Sequence, residues 1–326
     1  MGIKISFTKV GSEAMFSMMT VAFLSFIVPL VLAIVWKVKK KEKFTSTLVG
    51  AGVFILFALI LEKSIQNVLV FPTLLGMPSN GIDTFLNAHP LLLGVVVAMF
   101  PGVFEETGRL IAFKTLLKNR KNRETSISYG IGHAGIEVTL LVGLTYVSYL
   151  MYAAIINSGS YGSIVEQTRA IAPDQVDVLL LLPKQLAAVT FLDCGLVLLE
   201  RVFAVLFHIG ASILVFYACK DKKKFWLYPL AILLHAVMDF PAGLVSLGIV
   251  NIPIAAVEIV FAICSTGVFL FAYKCFYKKD VVKKEEAAVE EVVSEEVAVE
   301  EVVSEEVASE EVASEEVEVE EGTVEK

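Results

Sequence analysis

The chain has 326 residues, 56% of them hydrophobic, and a mean hydropathy of +0.73, which excludes an ordinary water-soluble domain and fits repeated apolar runs of membrane-crossing length. The formal net charge of -8 misleads about the body, because 18 of the 35 acidic residues lie from Glu285 onward and residues 1–284 carry 26 basic against 17 acidic groups. Such a body suits an anionic membrane surface and offers no nucleic-acid-binding stripe.

In chain order, hydropathy predicts seven spans: Ala14 to Trp36, Thr45 to Leu61, Leu91 to Leu117, Ser126 to Ile156, Phe191 to Cys219, Phe225 to Leu247 and Ile254 to Phe276. The expected fold is therefore all-α, a polytopic transmembrane helix bundle over residues 1–280. The first run is too long for a signal-peptide core and lacks a small-residue cleavage site, so it reads as a retained helix. Met1 to Ser6 matches a myristoylation pattern, but an outward N-terminus never meets the acyltransferase, so the match reads as chance.

Basic runs at Lys37 to Lys43, Lys114 to Arg123, Lys220 to Lys224 and Lys274 to Lys284 all follow odd-numbered spans, while the opposite loops hold only Lys63, Arg169 and Lys184. By the positive-inside rule the N-terminus is outside and the C-terminus cytoplasmic, in an integral protein of the bacterial plasma membrane. Between the fourth and fifth spans, Ser158 to Val189 reads either as an interfacial re-entrant helix that gates access or as a plain connection. Residues 281–326 repeat Glu-Glu-Val about every five residues, a period that builds no apolar stripe on a helix, and read as a disordered acidic tail able to contact basic cytoplasmic partners. Cys194, Cys219, Cys264 and Cys275 show no C-x-x-C spacing and read as packing residues.

The informative residues lie inside the apolar runs: Glu105, Glu106, Arg109, His133, Glu137, Glu200, Arg201, His208, His235 and Asp239. Each such charge facing lipid costs roughly 2.5 to 3.5 kcal/mol, so these groups face one another. Counted from the basic ends at 1.5 Å per residue, Glu106, Glu137, His208 and His235 all fall roughly 15 to 18 Å deep. Within helices, Glu105 and Arg109, His133 and Glu137, and His235 and Asp239 stand four apart, and Arg201 and His208 seven apart, so each helix presents one polar face. Glu105 with Arg109, and Glu200 with Arg201, also fit plain structural ion pairs between helices.

Five carboxylates against two guanidinium groups leave a surplus of negative charge, which requires shared protons, protonated histidines or a bound cation. The first two options suit general acid and base catalysis, and the third a metalloenzyme or a cation carrier. Gly130, Gly132 and Gly135 around His133 allow another backbone to approach, and Pro101 and Gly102 loosen the third span near the acids.

At Glu105-Glu106-Thr107-Gly108-Arg109, Gly130-Ile131-Gly132-His133-Ala134-Gly135-Ile136-Glu137, Glu200-Arg201 with His208, and His235-Ala236-Val237-Met238-Asp239, the chain resembles the YhfC family. That family is described as intramembrane proteases, glutamic or metallo in type, related to the CAAX-protease and bacteriocin-processing group. The resemblance implies that Glu105 and Glu106 supply the base, that Arg109 fixes them, that His208 or His133 helps hold the water, and that His235 polarises the scissile carbonyl. Two departures from the wider group stand out: the arginine is one residue closer than in Glu-Glu-x-x-x-Arg, and Asp239 replaces the usual asparagine. An ionised Asp239 cannot donate to an oxyanion, so it is either protonated or orients His235.

The reading favoured by these residues is hydrolysis of a peptide bond in a membrane-embedded or membrane-proximal substrate by a glutamate- and histidine-activated water, with Glu137 and Arg201 in the same site and no cofactor required. A zinc version takes His133, His208 and His235 plus a carboxylate as ligands, and a proton- or cation-coupled transporter is the rival from another class.

Overall fold

The computed structural model describes residues 7–280; the expectations for Met1 to Ser6 and for the acidic tail lie outside the described residues. Two compact units divide the chain, residues 1–276 and 277–326, and of the second only residues 277–280 are described, in helical conformation. Among the described residues the fold is all-α, with seven helices long and apolar enough to cross a membrane: Ser12–Lys40, Thr45–Leu69, Pro90–Lys114, Glu124–Ser158, Phe191–Lys220, Lys222–Ser246 and Ile254–Asp280. They are called here the first to the seventh span.

Local chemistry sets their ends. The first span stops where Lys41 turns into the left-handed region, after a last turn carrying Lys37, Lys39 and Lys40, whose charges suit the helix C-terminus. The third begins with Pro90 in its first turn, where a missing N–H costs nothing. The fifth begins with a capping box in which the Thr190 hydroxyl accepts from the Asp193 N–H and the Asp193 carboxylate accepts from the Thr190 N–H.

The second span differs from the expectation. It continues past Leu61 through a π-helical stretch, Ile55–Glu62, and on to Leu69. The charged pair that looks like a span end is internal: Glu62 is buried, and Lys63 donates to its Oε1 at 2.6 Å. A second π-helical stretch, Val138–Gly143, follows directly on Glu137 in the fourth span.

The fifth span is the central helix: 67% of its apolar stretch is buried, against 17–39% in the others. It packs on the third, fourth, sixth and seventh; the second packs on the fourth, and the third on the sixth. Small residues set these distances. A Cβ on Gly132 would stand 1.9 Å from the Thr47 carbonyl oxygen, and one on Gly50 would stand 2.2 Å from that of Tyr129, so the second and fourth spans meet backbone to backbone. Gly102 similarly admits the sixth span to the third, where a Cβ would lie 2.7 Å from the Ile232 carbonyl oxygen. Since lipid supplies no hydrophobic drive between helices, such close packing is what associates them.

Ser158 to Val189 resolves into two helices, Tyr161–Ile171 and Val176–Ala187. Their buried residues Tyr161, Val165, Val176 and Leu186 form a core with Val10, Ala14 and Met18 and with Ala153 and Ile156 of the fourth span, and the Tyr161 hydroxyl donates to the Leu179 carbonyl oxygen at 3.0 Å. Short amphipathic segments interrupted by Pro173 and Pro183 lack the apolar length of a span.

A methyl group at Gly132 has only backbone to displace, whereas Gly52 faces open space. Gly132→Ala is expected to destabilise the bundle by about 1–3 kcal/mol, read as a lower melting midpoint in detergent. Gly52→Ala leaves the midpoint unchanged or slightly raised, and equal midpoints for both variants would contradict the close contact.

Candidate active site

Four spans bring their polar faces to one place. From the third come Glu105, Glu106 and Arg109; from the fourth His133 and Glu137; from the fifth Arg201 and His208; from the sixth His235 and Asp239. Glu106, Arg109 and His133 are fully buried, and Glu105, His208 and His235 nearly so.

Glu105 is the hub. Its Oε2 lies 2.8 Å from His133 Nε2, 4.0 Å from His208 Nδ1 and 3.9 Å from His235 Nε2, so one carboxylate oxygen faces imidazoles from three other spans. Donor atoms of Glu105, His133 and His208 all lie within 4.8 Å of one another. Two imidazoles and a carboxylate are a recurrent catalytic zinc set. The residues therefore fit a divalent metal.

Glu106 forms a second unit beside the hub. Its Oε1 is ion-paired with Arg109 and lies 2.9 Å from His235 Nδ1, while its buried Oε2 has no partner. Arg109 also reaches His208 Nδ1 at 3.3 Å, and its guanidinium stands 5.8 Å from the centroid of the Tyr129 ring. A guanidinium only donates, so His208 Nδ1 accepts and the ring proton sits on Nε2. That nitrogen faces Glu137 Oε2 at 2.8 Å.

An outer layer completes the network. Glu137 Oε1 accepts from Arg201 at 3.1 Å, and Arg201 in turn is bonded to Glu200. Glu258, half-buried in the seventh span, interacts electrostatically with Arg201 and Glu200. Asp239 Oδ2 stands 3.6 Å from His235 Nε2.

All nine expected residues thus fall in one connected network, with one ion pair different from that read off the sequence and the other partners chosen across the bundle. Arg109 takes Glu106 rather than Glu105, at a spacing of three rather than four. His133 faces Glu105, leaving Glu137 to His208 and Arg201. The donor group within 4.8 Å is Glu105 with His133 and His208, while His235 stands beside it, its Nε2 3.9 Å from Glu105 Oε2 and its Nδ1 facing Glu106. The Glu200 and Arg201 pair forms as expected.

Two buried residues went unnoticed in the sequence. Tyr129 lies one turn before His133, on the same face, and carries a buried hydroxyl without a partner. Glu62 interacts electrostatically with Glu105 and Asp239; its signal was an acid inside an apolar stretch that resumes after Lys63.

The bundle and its site define a polytopic membrane protein with an intramembrane carboxylate and histidine centre. The family model described as YhfC intramembrane metalloprotease matches residues 24–261, a stretch that holds every residue of the site, and the chain belongs to the YhfC family. It is 31% identical over 255 residues to the "Uncharacterized membrane protein YhfC" of Bacillus subtilis (strain 168), covering 78% of this chain and 93% of that protein. No solved structure matches. The family description points to a protease of the metal-dependent kind.

Removing Arg109 leaves the Glu106 carboxylate buried beside His235 without its ion-pair partner. Arg109→Met is therefore expected to destabilise the protein by about 3–5 kcal/mol, whereas the Arg109→Met/Glu106→Gln double variant recovers much of that loss. A double-mutant cycle on thermal or denaturant unfolding measures the coupling, and additive losses would contradict the pairing.

Proposed function

We propose that this protein hydrolyses a peptide bond of a membrane-embedded or membrane-proximal substrate, in a bacterial plasma membrane, at a metal centre held by Glu105, His133 and His208. The observation that carries this reading is the convergence of those three buried donors, from three spans, beside a carboxylate with one free oxygen. The charge surplus of the site supports it as well, since a divalent cation offsets two of the uncompensated negative charges.

When bound there, a metal such as zinc supplies Lewis-acid polarisation of a water or carbonyl oxygen. The proton chemistry belongs to the chain. Glu106 is clamped at Oε1 by Arg109 and His235, so Oε2 is fixed in place and free to take a proton from the attacking water. His235, with Glu106 at Nδ1 and Asp239 beyond Nε2, relays that proton to the leaving nitrogen as the C–N bond breaks. Arg109, Glu137 and Arg201 are positioning residues: Arg109 holds Glu106, while Arg201 holds Glu137 against His208 Nε2 and so leaves His208 Nδ1, which accepts from Arg109 in this structure, as the nitrogen that a metal would take in place of that hydrogen bond. The same Glu106 unit is complete without an ion, which keeps a metal-free glutamate mechanism as the alternative.

The test is peptide cleavage by purified protein in liposomes, with metal content determined on the same samples. Glu106→Gln is expected to retain the metal and lose roughly 10²–10⁴ in turnover. Glu105→Gln and His133→Ala lose the metal and the activity together. Full cleavage by metal-free protein would hand the reaction to the glutamate alternative, and an active Glu106→Gln would overturn both. Glu137→Gln is expected to weaken metal affinity by about 10- to 100-fold, measured by competition with a chelator; unchanged affinity would remove Glu137 from its positioning role.

A further inference from the structure

The site is closed on one side and open on the other. The basic segments after the first, third and fifth spans, Lys37 to Lys43, Lys114 to Arg123 and Lys220 to Lys224, share one end of the bundle. Between that end and Glu105 lie fully buried residues of four spans: Arg109, Tyr129, Ser212, Leu227 and Ala231 are all 0% exposed. Toward the other end burial relaxes, with the Asp239 side chain 37% and that of Lys63 52% exposed. Glu105 and His235 lie about 14–17 Å along their helices from the basic ends, and Asp239 and Glu62 about 22–26 Å.

Exposure of Asp239 is not exposure to lipid. It interacts electrostatically with His235 on its own span, with Glu137 of the fourth and with Glu62 and Lys63 of the second. Asp239 is thus influenced by charged groups of three spans while its side chain stays about a third open. The second and sixth spans both pack on the third, yet among the described residues they make no extensive contact with each other. Asp239 of the sixth span interacts electrostatically with the Glu62–Lys63 pair of the second, and Glu62 and His235 both do so with Glu105.

We propose that the gap between the second and sixth spans is a cleft by which water and an unwound peptide segment reach Glu105, and that it opens at the end of the bundle opposite the basic loops. With those loops on the cytoplasmic side, the substrate is presented from the extracytoplasmic half of the membrane. A polar-lined wall suits an extended peptide, whose free N–H and C=O groups need partners wherever they leave a helix within the bilayer. The peptide part rests on the hydrolytic reading above, while the path for water does not.

The test uses single cysteines in the full-length protein with Cys194, Cys219, Cys264 and Cys275 replaced. Gly243 stands one turn beyond Asp239 on the same face, and a Cβ there meets nothing within 4 Å. Ser212, whose hydroxyl donates to the His208 carbonyl oxygen, lies on the sealed side. A charged, membrane-impermeant thiol reagent is applied to intact cells and to inverted membrane vesicles, with labelling after denaturation as the measure of total thiol. Gly243→Cys is expected to be labelled in intact cells, and Ser212→Cys in neither preparation. Labelling of Gly243→Cys only in inverted vesicles, its failure to label in both, or labelling of Ser212→Cys from the basic side would overturn the proposal. In the cleavage assay, modified Gly243→Cys is expected to lose activity that the unmodified variant retains; full activity after modification would remove the peptide from this route. A protein that labels as expected but cleaves no peptide would refute the hydrolytic reading and leave the water entrance standing.

Discussion

Charge inside hydrocarbon has to be matched by charge, and most of this structure follows from that requirement. Glu106 and Arg109 are fully buried on one helix face, and neither is tolerable there without the other. Their pairing fixes the face of the third span, and that face fixes which sides of the fourth, fifth and sixth spans must turn inward. His133, His208 and His235 then converge on Glu105 because any other rotation of their helices would strand an imidazole in lipid. Stability and chemistry therefore share the same contacts.

Electrostatics alone does not bring helices within bonding distance, and here small residues do so. Thr47 and Tyr129 offer backbone carbonyls to the empty side of Gly132 and Gly50, and Ile232 of the sixth span offers its own to Gly102. The result is a stiff frame around the site, built of backbone contacts that side-chain motion cannot loosen. Polar tethers add to it: Glu42, buried between the first and second spans, accepts from Ser46, Asn122 and Thr125, and Thr107 is hydrogen-bonded to Tyr228 at 2.8 Å. A reacting centre needs its groups held to a fraction of an ångström, and rigid elements serve that better than loops.

Much of this was legible in the sequence, for identifiable reasons. Apolar runs of about 20 residues mark spans because the bilayer sets their length, and charged groups at common depth mark a site because lipid forbids them elsewhere. What was not legible is which partner each group takes. Glu105 and Glu106 are adjacent and both stand within a turn of Arg109, so helical spacing cannot choose between them; the choice falls to His133, which occupies Glu105 from across the bundle. The preference for a metal-free glutamate mechanism shifts for the same reason, since only the cross-bundle geometry assembles two imidazoles and a carboxylate. Glu62 was missed because an acid followed by a lysine looks like the end of a span, and a π-helical stretch is needed to turn it inward. The paired helices after Ser158 carry short amphipathic patterns, which look alike in a loop and in a helix that lies on a bundle.

The two π-helical stretches, Ile55–Glu62 and Val138–Gly143, border the polar layer in the second and fourth spans. A π turn holds an extra residue relative to an α turn, so each behaves as a one-residue insertion absorbed without breaking the helix. Every side chain beyond it is rotated by about 100° relative to an uninterrupted α-helix. The fourth span thereby serves two surfaces that no single straight helix could serve in register. Before the stretch, His133 and Glu137 face the charged centre; after it, Ala153 and Ile156 face the apolar core beneath the outer helices. Loss of one residue from Val138–Gly143 would keep the span long enough to cross the membrane and keep its composition apolar. It would also uncouple those two faces, so the length of this segment is constrained more tightly than its sequence.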